Sequence, residues 1–233
     1  MEAIVLAGGL GTRLQGVIGQ YPKCMAEVNG QPFLFSLFEY LDRQKCTRVI
    51  LSLGYKSRIV TDWLEALDYL PFEVDCVIED EPLGTGGGIL AAIEESEADD
   101  VLVVNGDTMF LVDIKEQFKL HTASNAAVTL ALKEMHDFDR YGVVNIDDKG
   151  LITSFEEKQQ RKTGLINGGV YIINREAYMS KPHREKFSFE KDYLEAFVGE
   201  KKFYGYKSDS YFIDIGIPAD FERAQVDFET LFL

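Results

Sequence analysis

The 233-residue chain is 46% hydrophobic and 27% charged, a composition typical of a globular protein with one sizeable core. Its formal net charge of −15 argues against nucleic acids and acidic membranes as partners, because both require a basic surface. No stretch approaches the roughly 18 apolar residues of a membrane span, and the N-terminus has no basic leader, so we expect a cytoplasmic location.

The first half of the chain alternates apolar runs of strand length with segments of helical period. In chain order these are AIVLA, FLFSLFEYLDR, RVILSLG, IVTDWLEAL, VDCVIE, GILAAIEE and VLVVNG. They predict a βαβαβαβ order. Strands that are nearly continuous in Val, Ile and Leu are typical of a parallel sheet buried on both faces. The expected fold class is therefore α/β, with a Rossmann-like mixed, mainly parallel sheet flanked by helices.

After Asp107 the pattern changes to strand-like segments with few helices between them. These segments are AAVTLALKEM, YGVVNID, LITSFEEK and INGGVYIINR, with a turn signal at residues 148–150. We expect added strands and β-hairpins built onto the same sheet. Pro218 then predicts the start of an amphipathic helix over about residues 218–232, whose apolar positions are Phe221, Ala224, Phe228 and Leu231. No repeat or linker interrupts residues 1–233, which predicts a single domain.

Cys24, Cys46 and Cys76 are odd in number and lack CxxC spacing. This argues against a disulfide framework and against a structural zinc site. We expect these cysteines to be reduced and mostly buried.

Ligands of an open α/β sheet bind at the carboxyl ends of the strands, and the first such position carries LAGGLGTRLQ. A phosphate cradle, a dinucleotide fingerprint and an ordinary turn are the alternatives. A Walker loop would continue into Gly-Lys-Ser/Thr, and a dinucleotide fingerprint would have a third glycine where Leu14 stands. Glycines that expose backbone N–H groups beside the Arg13 guanidinium suit a triphosphate. Arg13 and Lys23 also balance Glu2 and Glu27, so residues 1–30 are locally neutral.

The combination of GGLGTRL with PKCM resembles the signature of the sugar-phosphate nucleotidyltransferases, also called sugar-nucleotide pyrophosphorylases. The resemblance implies that the glycine loop, Arg13 and Lys23 hold the phosphates of a nucleoside triphosphate. It also implies that the glycines of EDEPLGTGGGI let the nucleobase lie against the backbone. The nucleotide-binding residues implied in this way are Leu6, Ala7, Gly8, Gly9, Gly11, Thr12, Arg13, Lys23, Glu79, Gly84, Thr85 and Gly106.

Asp107 in VVNGDT and Asp214 in YFIDIG each border an apolar run. Burial of a carboxylate in such a place is costly unless it meets a cation, which favours a metal ligand over a turn cap. In the family that these motifs resemble, the first of the two aspartates binds Mg²⁺. The implied cofactor is therefore Mg²⁺, with Asp107 and Asp214 as its ligands.

The motifs SFEEK, LINGGVY and RYGVV match the sugar-phosphate site of the same family. The resemblance implies that Glu157 binds sugar hydroxyls and that Lys158 binds the 1-phosphate. It divides the chain into a nucleotide-binding part of about residues 1–110 and a sugar-phosphate-binding part of about residues 111–217. The implied sugar-phosphate site consists of Gly142, Glu157 and Lys158, together with Asn167 and Gly169 of an NGG turn. The implied catalytic residues are Arg13, Lys23, Asp107, Lys158 and Asp214.

The reaction that the resemblance implies is attack of a sugar 1-phosphate on the α-phosphorus of a nucleoside triphosphate, with release of pyrophosphate. The second pKa of a phosphate is about 6, so the attacking oxygen is ionised at neutral pH and needs no general base. This agrees with the three histidines, His121, His136 and His183, which lie outside every motif in polar surroundings.

The motifs EPLGTGG, DFDRYG, SFEEK, LINGGVY, KFSFEKD and YFIDIG are most similar to the D-glycero-D-manno-heptose 1-phosphate guanylyltransferase branch of the family. This similarity implies GTP and a sugar 1-phosphate as substrates. Two alternatives stay open: a uridylyl- or thymidylyltransferase acting on hexose or N-acetylmuramic acid 1-phosphate, and a non-catalytic sugar-nucleotide sensor. A homodimer is a further expectation.

Overall fold

The computed structural model describes residues 1–9, 11 and 13–231, and its first half alternates strands and helices. The strands of this half are β1 (Glu2–Leu6), β2 (Glu27–Val28), β3 (Gln31–Pro32), β4 (Arg48–Leu53), β5 (Glu73–Ile78), β6 (Asp100–Asn105) and β7 (Thr108–Phe110). The helices are α1 (Gln15–Ile18), a 3₁₀ turn (Lys23–Met25), α2 (Phe33–Arg43), α3 (Ser57–Glu65) and α4 (Gly84–Glu94). The predicted βαβαβαβ order is confirmed, and α2 coincides with the predicted segment.

The second half is richer in strands, as predicted. Its strands are β8 (Val128–Phe138), β9 (Val143–Ile146), β10 (Ile152–Glu156), β11 (Arg161–Asn174), β12 (Phe203–Lys207) and β13 (Phe212–Asp214). Its helices are α5 (Ile114–Ser124), α6 (Arg175–Met179), a π-helix (Phe189–Glu195), a 3₁₀ turn (Val198–Glu200) and α7 (Pro218–Leu231). Helix α7 is the predicted terminal helix; the last residue predicted for it, residue 232, lies outside the described range.

Nine of the described strands form one mixed sheet. Seven of them follow the order β10-β9-β11-β6-β1-β4-β5, while β8 pairs with β11 and β12 pairs with β8. Strands β6, β1, β4 and β5 run parallel, and β11 joins them antiparallel through β6. The α/β fold class is confirmed. Strands β8 to β12 extend the same sheet toward one side, whereas β7 and β13 form a separate two-stranded sheet.

Apolar side chains cover both faces of the sheet, which explains the continuous apolar strands. In β1, Ala3 and Val5 belong to the core under α2 and α7, whereas Ile4 belongs to the core under α4. Strand β5 is different because it forms the edge of the sheet, and Cys76 and Ile78 in it are exposed. Burial of both faces therefore holds for the central strands and is wrong for the VDCVIE segment.

Two local elements differ from the sequence expectation. Helix α5 follows Asp107, where few helices were expected; Asp113 caps it by accepting a hydrogen bond from the Glu116 backbone N–H at 3.1 Å. The expected NGG turn is instead an irregularity inside β11, where the register with β8 shifts between Asn167 and Tyr171. Within the described ranges, no helix is long and apolar enough to cross a bilayer.

Candidate functional site

The carboxyl ends of the parallel strands bring the predicted motifs to one edge of the sheet. Backbone hydrogen bonds continue beyond the strands: the Ala7 N–H donates to the Ser52 carbonyl at 2.8 Å, and the Gly106 N–H donates to the Leu6 carbonyl at 2.9 Å. The loops that follow β1, β4, β5 and β6 therefore start side by side. Three cavities that share lining residues open along this edge.

The first cavity, of about 180 Å³, lies at the glycine loop. Arg13 and Lys23 supply its positive charge, and Arg13 is exposed with no hydrogen-bond partner among the described residues. Thr12, which was predicted to bind nucleotide, lies outside the described residues. Eight of the predicted residues line the cavity: Leu6, Ala7, Gly9, Gly11, Arg13, Lys23, Gly106 and Asp107.

Asp107 and Asp214 are brought together by a short two-stranded sheet. Strands β7 and β13 pair antiparallel, and their register places Asp214 opposite Thr108, the residue after Asp107. The Lys23 ammonium lies between the two carboxylates, 2.5 Å from Asp107 Oδ2 and 3.2 Å from Asp214 Oδ1. The predicted convergence of the two aspartates thus agrees with the geometry.

This carboxylate pair fits a divalent cation, because both side chains already converge on one positive charge, the Lys23 ammonium. Side-chain exposures of 12% for Lys23 and 36% and 21% for Asp107 and Asp214 keep the position open to a ligand. Among the described residues no group of three or more His, Cys, Asp and Glu side chains surrounds a metal position. A pair of carboxylates is the protein contribution that Mg²⁺ accepts when substrate phosphates and water complete its shell.

Cys24 also borders the first cavity, but its thiol is uncharged. Burial, with the nearby Asp107 carboxylate as a smaller cause, raises the pKa of Cys24 to about 12. The thiol therefore adds no negative charge where phosphates are expected. Cys24 and Cys46 are buried and Cys76 is exposed, so the expectation that the cysteines are mostly buried is confirmed.

The second cavity, of about 350 Å³, is bounded by the glycine loop and the start of α4. Glu79 lines it, and its carboxylate accepts hydrogen bonds from Ser52 Oγ at 3.1 Å and from the Leu83 backbone N–H at 3.0 Å. These two bonds hold the carboxylate in place and leave acceptor capacity toward the cavity. The predicted residues that line it are Leu6, Gly8, Gly9, Glu79, Gly84, Thr85 and Asp107.

The glycines at the start of α4 have a packing role that the sequence did not reveal. A β-carbon on Gly86 would lie 2.2 Å from the ring of Phe187, which is buried. The Gly86 N–H donates to the Phe187 carbonyl at 3.0 Å, so the chain before the π-helix lies directly on these glycines. This close approach fixes the start of α4, whose residues Gly84, Thr85 and Gly88 line the second cavity.

We expect Gly86→Ala to lower the free energy of unfolding by about 1–3 kcal/mol, because the Phe187 ring has to leave its packed position. Chemical denaturation monitored by circular dichroism measures this change. Gly199→Ala is the matched control, since a β-carbon there meets nothing within 4 Å. Equal stability of the two variants would show that the contact with Phe187 carries no packing energy.

The third cavity, of about 510 Å³, lies between β9, β10, β11 and the π-helix. Its floor is the irregular part of β11, where Gly169 has φ +73° and approaches the Asn105 side chain too closely for a β-carbon. The predicted residues that line this cavity are Arg13, Thr85, Asp107, Gly142, Glu157, Lys158, Asn167, Gly169 and Asp214.

Two charged residues after β10 differ in their surroundings. Glu157 is exposed and forms an ion pair with Lys191 at 3.3 Å. Lys158 is exposed and has no polar partner among the described residues. A cation without an internal partner is available to an anionic group such as a phosphate.

Tyr141 lines the third cavity, and Arg140 contacts it; the sequence did not single out either residue. The Tyr141 hydroxyl lies 3.5 Å from Asp214 Oδ2, and Arg140 donates to that hydroxyl at 3.0 Å and to Asp220 at 2.5 Å. Burial, together with Asp214, raises the pKa of Tyr141, so its phenol stays neutral. Arg140 and Tyr141 directly precede Gly142 in the RYGVV motif, and this position was the sequence signal that could have identified them.

The three histidines do not line these cavities. His121 differs from expectation because it is buried, with Nδ1 2.8 Å from Thr129 Oγ1 and Nε2 3.2 Å from Asp100 Oδ1. Burial lowers its pKa despite Asp100, which makes it a neutral structural residue. His136 is 2.9 Å from Thr163 Oγ1, and the His183 ring stacks on Phe187 at 4.9 Å.

Comparisons with known proteins agree with this arrangement. The family described as Nucleotidyl transferase matches residues 2–230. The chain is 46% identical to D-glycero-alpha-D-manno-heptose 1-phosphate guanylyltransferase of Aneurinibacillus thermoaerophilus, over 98% of this chain and 99% of the relative. It is 43% identical to the Campylobacter jejuni protein of the same name, over 95% and 97%. A crystal structure of HddC from Yersinia pseudotuberculosis complexed with GMP-PN has a TM-score of 0.86 at 40% identity and covers 97% of this chain and 99% of that one.

Proposed function

Because this chain belongs to the nucleotidyl transferase family, we propose that it transfers GMP from GTP to D-glycero-α-D-manno-heptose 1-phosphate and releases pyrophosphate. Two relatives with this guanylyltransferase name match over nearly their full length, and the similar HddC structure holds GMP-PN. GDP-heptose is the expected product.

One observation carries the proposal: Asp107 lines all three cavities. A triphosphate at the glycine loop, a base beside Glu79 and a sugar phosphate beside Lys158 would therefore meet at this residue. The first, second and third cavities are accordingly named the phosphate, base and sugar cavities. Such a junction is what transfer between two bound substrates requires, because the reacting atoms have to be held in contact and in line.

The transfer forms a bond between an oxygen of the sugar phosphate and the α-phosphorus, and it breaks the bond between that phosphorus and the oxygen bridging to the β-phosphate. Both substrates are anions, and two unit charges ~4 Å apart repel by about 4 kcal/mol at an effective dielectric constant of 20. Arg13 and Lys23 at the glycine loop and Lys158 at the sugar cavity are the cations placed to offset this repulsion. Neutral His121, remote from the cavities, is not needed as a base, since the attacking phosphate is ionised at neutral pH.

We propose Mg²⁺ as the cofactor, with Asp107 and Asp214 as the residues that would hold it. When bound, the ion supplies positive charge to the phosphate oxygens. The protein's part is to hold the two carboxylates together. Pairing of β7 with β13 does this through the backbone, and the Gly216 N–H donates to Asp214 Oδ1 at 2.8 Å.

Preference for guanine would come from Glu79 in the base cavity. Guanine presents the N1–H and N2–H donors, and a fixed carboxylate accepts both. Uracil and thymine present only one such donor beside carbonyl acceptors, which a carboxylate repels. A cytoplasmic location, where nucleoside triphosphates are available, and a homodimer remain predictions.

A pyrophosphate-release assay that crosses GTP, ATP, UTP and dTTP with several sugar 1-phosphates tests the proposed function. We expect the highest kcat/KM with GTP and D-glycero-α-D-manno-heptose 1-phosphate. Turnover with UTP or dTTP but not GTP would contradict the guanylyl assignment, and preference for a hexose 1-phosphate would contradict the heptose assignment. Binding of a sugar nucleotide without turnover of any pair would identify a sensor.

A further inference from the structure

Glu190, in the first turn of the π-helix, projects into the sugar cavity beside the base cavity. It is half-buried and lines the third cavity, and its neighbour Thr85 lines both the second and the third. Glu190 lies in the KFSFEKD segment, one of the motifs similar to the guanylyltransferase branch, but the sequence implied no role for it. The π-helix that carries it is also absent from the sequence prediction, so its position is decided by the tertiary structure alone.

One oxygen of the Glu190 carboxylate is held by two hydroxyls. Oε2 accepts hydrogen bonds from Thr85 Oγ1 at 2.9 Å and from Ser188 Oγ at 3.0 Å. The Thr85 hydroxyl is itself oriented, because it accepts a hydrogen bond from the Phe189 backbone N–H at 2.9 Å. Oε1 has no hydrogen-bond partner among the described residues, so the carboxylate is oriented while half of its acceptor capacity is unused.

The other carboxylates of the cavity are engaged differently. Glu156 accepts from Arg161 and from Asn145, and Glu157 is paired with Lys191. Asp107 and Asp214 both contact Lys23. Glu195 also lines the cavity and has no cation or amide partner among the described residues, but it is exposed and no hydroxyl orients it. Glu190 thus differs from it in being half-buried and held by two hydroxyls.

The charge of Glu190 determines which part of a substrate it can contact. A carboxylate without a cation repels phosphate groups, so it does not serve the 1-phosphate or the triphosphate. A carboxylate accepts hydroxyl hydrogen bonds more strongly than a neutral acceptor does, because its charge assists the bond. The cavity floor beside it is uncharged: Tyr171 is buried, and burial, followed by the charge of Glu190, raises its pKa.

We propose that Glu190 is a specificity-determining residue that accepts hydrogen bonds from hydroxyl groups of the sugar, and that Thr85 is the positioning residue that orients its carboxylate. This inference rests on the proposed function. It also assigns the Thr85 side chain to the sugar side of the site, although Thr85 stands in the loop predicted to bind the nucleotide.

The first test compares Glu190→Gln with the wild type in steady-state assays. We expect kcat/KM for the sugar 1-phosphate to fall about 10- to 100-fold, mainly through KM, because a charge-assisted bond becomes a neutral one. The KM for GTP is expected to stay unchanged. Glu176→Gln, an exposed glutamate on α6 outside the cavities, is the matched control and should behave as the wild type.

A set of deoxy sugar 1-phosphates, each lacking one hydroxyl, makes the test specific. The analogue that lacks the contacted hydroxyl should react equally with the wild type and with Glu190→Gln, whereas the other analogues should still distinguish them. The positioning role is tested with Thr85→Val, which removes the hydroxyl, against Thr85→Ser, which keeps it. We expect the valine variant to reproduce the KM increase for the sugar and the serine variant to restore the wild-type value.

Three results would overturn the inference. Glu190→Gln could raise the KM for GTP instead of the sugar, which would place the carboxylate at the ribose. A second such result is an equal effect of Glu190→Gln with every deoxy analogue. A third is an equal KM for the sugar 1-phosphate in Thr85→Val and Thr85→Ser. Failure of the proposed function is distinguishable from these results, because in that case the wild type itself transfers GMP to none of the sugar 1-phosphates. Melting temperatures near the wild-type value ensure that the variants are compared as folded proteins.

Discussion

Asp107→Asn is expected to lower kcat about a thousandfold, equivalent to ~4 kcal/mol in the activation barrier. The substitution keeps the size of the side chain but removes the charge at the point where the three cavities meet. It also leaves the Lys23 ammonium with Asp214 as its single acidic partner. Steady-state assays over a range of Mg²⁺ concentrations measure the loss.

The matched control is Asp148→Asn, which removes one carboxylate from an exposed turn. Binding of Mn²⁺ in the presence of GTP, followed by electron paramagnetic resonance, gives a readout that does not depend on turnover. We expect Asp107→Asn to weaken this binding and Asp148→Asn to leave it unchanged. Near-full activity of Asp107→Asn at saturating Mg²⁺ would show that Asp107 is not a metal ligand.

Lys23→Met is expected to lower kcat/KM for GTP about 100- to 1,000-fold, because a cation at the phosphate cavity is lost while a side chain of similar length remains. The substitution has a second consequence. In the wild type both aspartates lie within 3.2 Å of the Lys23 ammonium, and in the variant they face each other without a cation. Without Mg²⁺, the melting temperature is expected to fall by about 2–8 °C, a range that allows for solvent screening of the partly exposed carboxylates.

The distinguishing measurement is the melting temperature with and without Mg²⁺. Since a divalent ion can take the place of the lost ammonium between the carboxylates, Mg²⁺ should raise the melting temperature of Lys23→Met more than that of the wild type. Lys186→Met, an exposed lysine away from the three cavities, is the control. If Mg²⁺ raised the melting temperatures of Lys23→Met and of the wild type equally, this result would argue against a cation site between Asp107 and Asp214.

Several features of the site follow from local sequence, and their placement at the ends of strands was predicted correctly. The glycine loop after β1 and the Asp107 motif after β6 stand at strand ends, where parallel strands place their ligands. All the predicted site residues that the structure describes line one of the three cavities. The individual roles of these residues in binding and catalysis remain predictions.

The missed residues share a physical reason: their contacts connect segments that are distant in the chain. Tyr141 reaches Asp214, Thr85 reaches Glu190 and Gly86 packs on Phe187. No periodicity or turn pattern encodes such a pair, because each partner is compatible with many other neighbours. The π-helix was missed for the same reason, since its aromatic residues pack into a cluster that includes the distant residues Tyr171 and Tyr178.

The sequence by itself determined the alternation of strands and helices, the position of the glycine-rich loops and the family that the chain belongs to. These features depend on hydrophobic period and on short motifs, which are properties of neighbouring residues. Only the tertiary structure decided that the Lys23 ammonium lies between Asp107 and Asp214 and that Glu190 faces the sugar cavity. Strand pairing and side-chain packing between distant segments determine such contacts, and they exist only once the whole sheet has formed.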